Sequence, residues 1–166
     1  NRYHQQEYYL SQAVSFPLGG VCSLGVAADA MVNTMKTDQY FIVNPFRFTG
    51  LGSIVLRAKT KNTEASFGLL ATMVNESSDN GQGTTSREAL SPSLSFITRL
   101  SSTPVLRLRL MYRNSFRMPG FHDLYYNLVG NTGLKPEYVH QYNAGLILLK
   151  GLGPLQLNFQ TDLFLN

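Results

Sequence analysis

Hydrophobic side chains recur at every second residue along most of this chain. Leu155, Leu157, Phe159, Thr161, Leu163 and Leu165 alternate with Gln156, Asn158, Gln160, Asp162, Phe164 and Asn166. Leu106, Leu108, Leu110, Tyr112 and Phe116 alternate with Arg107, Arg109, Met111, Arg113 and Ser115. Ala65, Phe67, Leu69, Ala71 and Met73 do the same against Ser66, Gly68, Leu70, Thr72 and Val74. Successive side chains of a strand point to opposite faces, so a period of two predicts strands with one apolar face and one polar or small face. About eight strands are expected, near 5–17, 21–35, 46–60, 64–76, 91–101, 104–117, 137–149 and 154–166. Short turns fall at Pro17-Leu18-Gly19-Gly20, Lys61-Asn62-Thr63, Ser102-Thr103 and Lys150-Gly151-Leu152-Gly153. Long loops fall at about 36–45, 77–90 and 118–136. The predicted fold is all-β, an antiparallel meander. Alternating short and long connections are what a transmembrane β-barrel requires, with tight turns at the periplasmic rim and longer loops outside.

Alternation by itself says only that one face of each strand meets something apolar, so a soluble sandwich or a lipocalin-like ligand-binding barrel shares the pattern. Length favours the membrane. Ordinary strands have about five or six residues, these exceed that, and a tilted membrane strand needs about 9–11. Composition agrees. The chain has 166 residues, of which 43% are hydrophobic and 14% charged; a soluble domain is about a quarter charged. A barrel wall shows lipid only every second residue, so its apolar content stays moderate while its charge is low. No apolar run approaches the roughly 18 residues of a membrane helix.

Chemistry is sparse. The net charge of +4 comes from basic residues spread along the chain, not from the clustered basic face of a nucleic-acid binder, so no nucleic-acid partner is expected. Cys22 is the only cysteine, which leaves no internal disulfide and no cysteine metal cluster. His4, His122 and His140 lack ligand spacing, so no metal site is expected. Gly50-Leu51-Gly52 opens no helix and is not a nucleotide loop. There is no G-x-S-x-G elbow. No enzymatic activity and no cofactor are predicted. No basic segment followed by an apolar core marks a signal peptide at the start, so the chain is expected to be a piece of a longer precursor.

The alternating strand at 104–117 breaks at Ser115-Phe116-Arg117-Met118-Pro119. Asp123-Leu124-Tyr125 follows, then Gly130-Asn131-Thr132-Gly133-Leu134-Lys135-Pro136-Glu137, then a tyrosine-bearing strand. These phrases, in this order and spacing, resemble the late barrel region of TonB-dependent outer-membrane receptors. The resemblance is specific from about Ser91 to Gly145. It implies that residues 1–166 are a single segment of such a receptor's β-barrel, a large barrel of about 22 strands plugged by an N-terminal domain. The plug domain and its coupling box are expected to lie outside this segment.

By that resemblance the protein sits in the bacterial outer membrane and serves TonB-energised uptake of a scarce small-molecule nutrient, such as a ferric siderophore, haem or cobalamin. Its partners would be outer-membrane lipid, the rest of the barrel, the plug, and the TonB complex acting through that plug. The glycan-importing branch tends to carry tryptophan where this chain has Pro136, which favours iron-complex or cobalamin-type cargo. Arg117, Phe121, Tyr125 and Tyr126, in or at the edge of the long loop after Pro119, are candidates for ligand contact through stacking and charge. Arg107, Arg109 and Arg113 share one strand face, opposite Leu106, Leu108 and Leu110, and are expected to line the lumen. Their plainer role is an ion-pair ladder in a polar wall. Two other readings remain open: a self-contained eight-stranded outer-membrane barrel with an anchoring or adhesive role, and the lipocalin-like barrel. An isolated segment would carry two raw strand edges and is expected to self-associate through them.

Overall fold

The computed structural model describes residues 3–37, 44–78, 85–125, 130, 131 and 133–166. Eight strands follow one another: β1 (Tyr3–Gly19), β2 (Cys22–Thr37), β3 (Pro45–Lys59), β4 (Thr63–Ser78), β5 (Thr85–Ser102), β6 (Val105–Arg117), β7 (Glu137–Leu152) and β8 (Leu155–Leu165). A short helix, α1 (Phe121–Tyr125), lies between β6 and β7. Every strand pairs antiparallel with the next, and the order in the sheet is the order in the chain. The sheet is open, with β1 and β8 as its two edges. The eight strands therefore do not close on themselves, as a self-contained small barrel or a lipocalin-type barrel would.

Tight turns join the strands at one rim. The β1–β2 hairpin turns through Gly20 and Val21, with left-handed φ of 98° at Gly19 and 58° at Gly20. The β7–β8 hairpin turns through Gly153, at φ 65°, and Pro154. Glycine takes these angles without the Cβ clash that other residues meet. The long connections all fall at the opposite rim.

The strands differ from the predicted spans chiefly at β5. It begins at Thr85, not near residue 91, and pairs through Asn75↔Ser86 and Glu76↔Thr85 with the far end of β4. The loop expected over 77–90 is correspondingly shorter. Its flanks are polar, and polarity hid them from a hydrophobic count, but backbone pairing does not depend on side-chain polarity. A helix within the loop at 118–136 was also not expected.

The register assigns each residue to a face. One face carries Phe16, Val26, Ile54, Leu56, Phe67, Leu69, Leu94, Leu110, Leu146, Leu157 and Phe159, all exposed. The other carries the buried Asn33, Arg47, Thr49, Thr72, Ser91 and Asn143. This inverts the usual order of a soluble protein, in which large apolar groups lie inside and polar groups outside. It is the order of a membrane wall: apolar toward lipid, polar toward the lumen. From Phe48 to Ala58 the outward residues of β3 cover ten residue steps, about 34 Å along the strand. At a tilt of roughly 40° that spans about 26 Å, close to the apolar band of an outer-membrane barrel. Tyr8, Tyr138 and Tyr142 stand exposed on the outward face toward the long-loop rim, where an interfacial aromatic belt belongs.

Ile54 lies near the middle of that band and Ser53 is its neighbour on the inner face. Ile54→Arg is expected to cost about 2–4 kcal/mol of stability in a bilayer, and Ser53→Arg far less. Denaturant titration of the protein folded into lipid vesicles measures both, and equal losses would contradict this assignment of faces.

Candidate functional site

Two features of the inner face and its outer rim carry what chemistry the chain has. The first is a set of polar rows running across the strands. Near the long-loop rim, Glu7, Asn33, Arg47 and Glu76 lie directly opposite one another on β1 to β4. Asn33 donates to Glu7 at 2.7 Å. Arg47 donates from Nε and Nη2 to one carboxylate oxygen of Glu76, at 2.8 and 2.6 Å. Both side chains of this ion pair are nearly buried, at 10% and 11% exposure. A charge removed from water needs such a partner.

The second row crosses β6, β7 and β8 as Arg109, Gly145 and Asp162. Arg109 reaches over β7 to Asp162, with Nη2 2.6 Å from Oδ1. Gln160 donates to the other carboxylate oxygen at 2.8 Å. Gly145 makes this possible, because a Cβ at that position would collide with Asp162 Oδ1. Arg107, Arg109 and Arg113 all fall on this inner face. Arg109 is thus neutralised within the wall. Arg107 and Arg113 have no ion-pair partner among the described residues.

At the rim the chain leaves β6, turns through Pro119 and Gly120 and forms α1. The phrases between Ser115 and Glu137 build this loop. Asp123, the third residue of α1, accepts the Gly120 N–H at 2.9 Å through Oδ2, the backward-reaching half of a capping box. The Asp123 carbonyl accepts the Asn131 N–H at 2.9 Å. Asn131 Oδ1 in turn accepts the Gly133 N–H at 2.8 Å, a side-chain turn that asparagine makes well. Phe121 and Leu124 point inward and are buried, at 5% and 7% exposure. The guanidinium carbon of Arg47 stands 4.8 Å from the centre of the Phe121 ring. The loop from β6 thus reaches back across the inner face to β3, and a cation–π contact holds it there.

Beside this anchor is a cavity of about 590 Å³, lined by Arg117, Pro119, His122, Asp123, Leu134, Lys135 and Glu137. Arg117 lies 3.7 Å from Glu137, both well exposed. A mixed charged and apolar lining at this volume suits a small-molecule ligand. Among the candidate ligand contacts, Arg117 stands in the cavity wall and Phe121 is turned away into the packing. Tyr125 closes α1, and Tyr126 lies outside the described residues. The Arg47–Phe121 contact escaped sequence reasoning, since 74 positions separate the two residues and no local pattern links them. Gly145 carried a faint signal as a glycine inside an otherwise regular strand. Among the described residues no group of three or more His, Cys, Asp or Glu side chains could hold a metal ion.

Compared with known families, residues 14–166 match the model described as TonB dependent receptor-like, beta-barrel. No curated protein matches the chain.

Two substitutions test these contacts. Gly145→Ala is expected to lower the unfolding temperature in detergent about as much as Asp162→Ala does, because each severs the reach of Arg109. Combining them should add little, which a double-mutant cycle of melting temperatures reads directly. Phe121→Leu keeps an apolar side chain in the rim packing but loses the ring beneath Arg47. The backbone amides of α1 are then expected to exchange with solvent about fivefold faster, for a contact of about 1 kcal/mol, with β4 and β5 unchanged.

Proposed function

The chain belongs to the TonB-dependent receptor β-barrel family, whose members are receptors and transporters of the bacterial outer membrane and not enzymes. From that premise we propose that its parent protein imports an iron complex, a ferric siderophore or haem, with cobalamin as the nearest alternative. Pro136 is the observation that carries this choice. It occupies the place in Leu134-Lys135-Pro136-Glu137 where the glycan-importing branch tends to carry tryptophan. The rim cavity supports the same reading, since Lys135 and Arg117 offer donors to the anionic oxygens that such ligands carry. In this reading Arg117 contacts the ligand, with Tyr125 and Tyr126 contributing from the same loop. Phe121 serves instead as the anchor that holds the loop over the wall.

Transport then follows from the parent assembly. Ligand binds at the outer rim, and the plug, carried elsewhere in the polypeptide, is displaced by the TonB complex of the inner membrane. The lumen-facing Arg107 and Arg113 keep the path electrostatically favourable to an anionic solute.

The full receptor, expressed in a strain without its own iron receptors, tests this. Labelled ferric siderophore or haem is expected to accumulate, and accumulation should cease when TonB is deleted. Arg117→Ala is expected to raise the half-saturating concentration about tenfold, as loss of a charge-assisted contact does, with the amount of assembled barrel unchanged. TonB-dependent uptake of an oligosaccharide, with no response to iron complexes, would overturn the proposed cargo.

A further inference from the structure

The pairing of β5 with β6 stops partway along the wall. It runs from Ser102↔Val105 to Ser93↔Arg113, yet β5 continues to Thr85 and β6 to Arg117. The cause is Pro92. In an antiparallel ladder the N–H and C=O of alternate residues face alternate neighbours. Arg99 gives its N–H to the Asn62 carbonyl at 2.8 Å, on the β4 side, so odd residues of β5 face β4 and even ones face β6. Pro92 falls on the β6 side, opposite Asn114, and has no N–H to give. Beyond it the strands part. A cavity of about 360 Å³ opens between Ser91 and Ser93 on β5 and Arg113 to Phe116 on β6. From here β6 pairs with β7 alone and β5 with β4 alone. The backbone N–H and C=O groups of Ser86, Glu88 and Leu90 turn into this fork and meet no backbone partner among the described residues.

This edge differs from those of β1 and β8. The rest of the barrel joins at those two strands, whereas β5 lies inside the sheet. The described loop after Arg117 does not cover it either, since that loop runs to β3, where Phe121 meets Arg47. Ser86, Arg87, Glu88 and Leu90 are exposed. The row Ala30, Gly50, Met73, Glu88 climbs toward the long-loop rim, and Glu88 faces outward with a charge that hydrocarbon disfavours. The open edge therefore stands in water, above the lipid.

We propose that the β5 edge from Thr85 to Leu90 is a docking site for an extended segment of a second protein at the cell surface, which adds to it as a strand. Main-chain bonds of such an added strand give affinity, and side chains give specificity. Arg87 faces inward, opposite Val74, and Glu88 outward, opposite Met73. Neither has an ion-pair partner among the described residues. A segment with Lys and Glu on consecutive residues meets both charges, because consecutive strand side chains face opposite ways. A second copy of this edge is the poorer occupant. In the antiparallel register that engages Ser86, Glu88 and Leu90 together, Glu88 would oppose Glu88, and like charges so placed repel. The inference goes beyond the cargo and holds whichever solute is imported.

The test uses the full receptor in lipid nanodiscs. In the receptor alone, the amides of Glu88 and Leu90 are expected to exchange with solvent at least tenfold faster than those of Arg87 and Ala89, which β4 engages. The probe is the end-capped, fluorescein-labelled hexapeptide Val-Thr-Lys-Glu-Thr-Thr. It is expected to bind saturably by anisotropy and to slow the two fast amides. Methylating the backbone nitrogen of its Lys should weaken binding about fivefold, as loss of one backbone bond does. Leu90→Pro should do the same with the barrel still assembled, since the lost N–H faces the fork and not β4. Glu88→Lys should weaken binding about tenfold, and changing the peptide's Lys to Glu should restore it. Equal exchange across residues 87–90 would show the edge already paired and would overturn the docking site. Absent binding, or binding indifferent to the methyl group, to Leu90→Pro or to Glu88→Lys, would overturn it too.

Discussion

A strand survives in lipid only when its neighbours take every backbone N–H and C=O, because the hydrocarbon offers no substitute partner. That constraint underlies the rest of this structure. Seven antiparallel pairings join the eight strands in chain order, and each pairing fixes which residues lie opposite one another. With the register fixed, every side chain is committed to one of two environments. A slip of one residue would send Ile54 and Leu56 to the lumen and Arg57 to the lipid, reversing a preference of several kcal/mol at mid-membrane.

Committing one face to lipid leaves the other free to be polar, and its polar groups are organised in rows set by the same register. Glu7, Asn33, Arg47 and Glu76 form one row near the outer rim. Arg109, Gly145 and Asp162 form another. Ion pairs in the partly enclosed wall hold because each charge meets its partner at short range. Gly145 shows how small the deciding features are: without a side chain it lets an arginine span two strand spacings, about 10 Å. Arg99 and Arg107, by contrast, have no ion-pair partner among the described residues.

The outer rim is built on different physics. There the chain is no longer bound to period two, and Asp123 and Asn131 shape it by capping and turn bonds. Phe121 ties it down by packing beneath Arg47. The residue that anchors the loop is therefore held by the same arginine that neutralises Glu76. The rim cavity and the polar wall are coupled through one side chain, which connects the outer rim to the sheet below.

The sequence by itself determined the strands, their faces and the family. Alternation is a local property, and Leu155 to Leu165 declare their face without reference to any other strand. The phrases from Ser115 to Glu137 are likewise contiguous, so the chain's membership was legible in them. Their separate tasks, a cap by Asp123 and a turn by Asn131, were not. Three things required the tertiary structure. The early start of β5 at Thr85 depends on β4 supplying partners to residues with no hydrophobic signature. The meeting of Arg47 with Phe121 depends on a loop crossing several strands. The unequal fates of three arginines on one strand, with Arg109 paired and Arg107 and Arg113 without ion-pair partners among the described residues, depend on which residue the neighbouring strands place opposite each. Local chemistry writes the period, but only the register between distant strands decides which charge meets which.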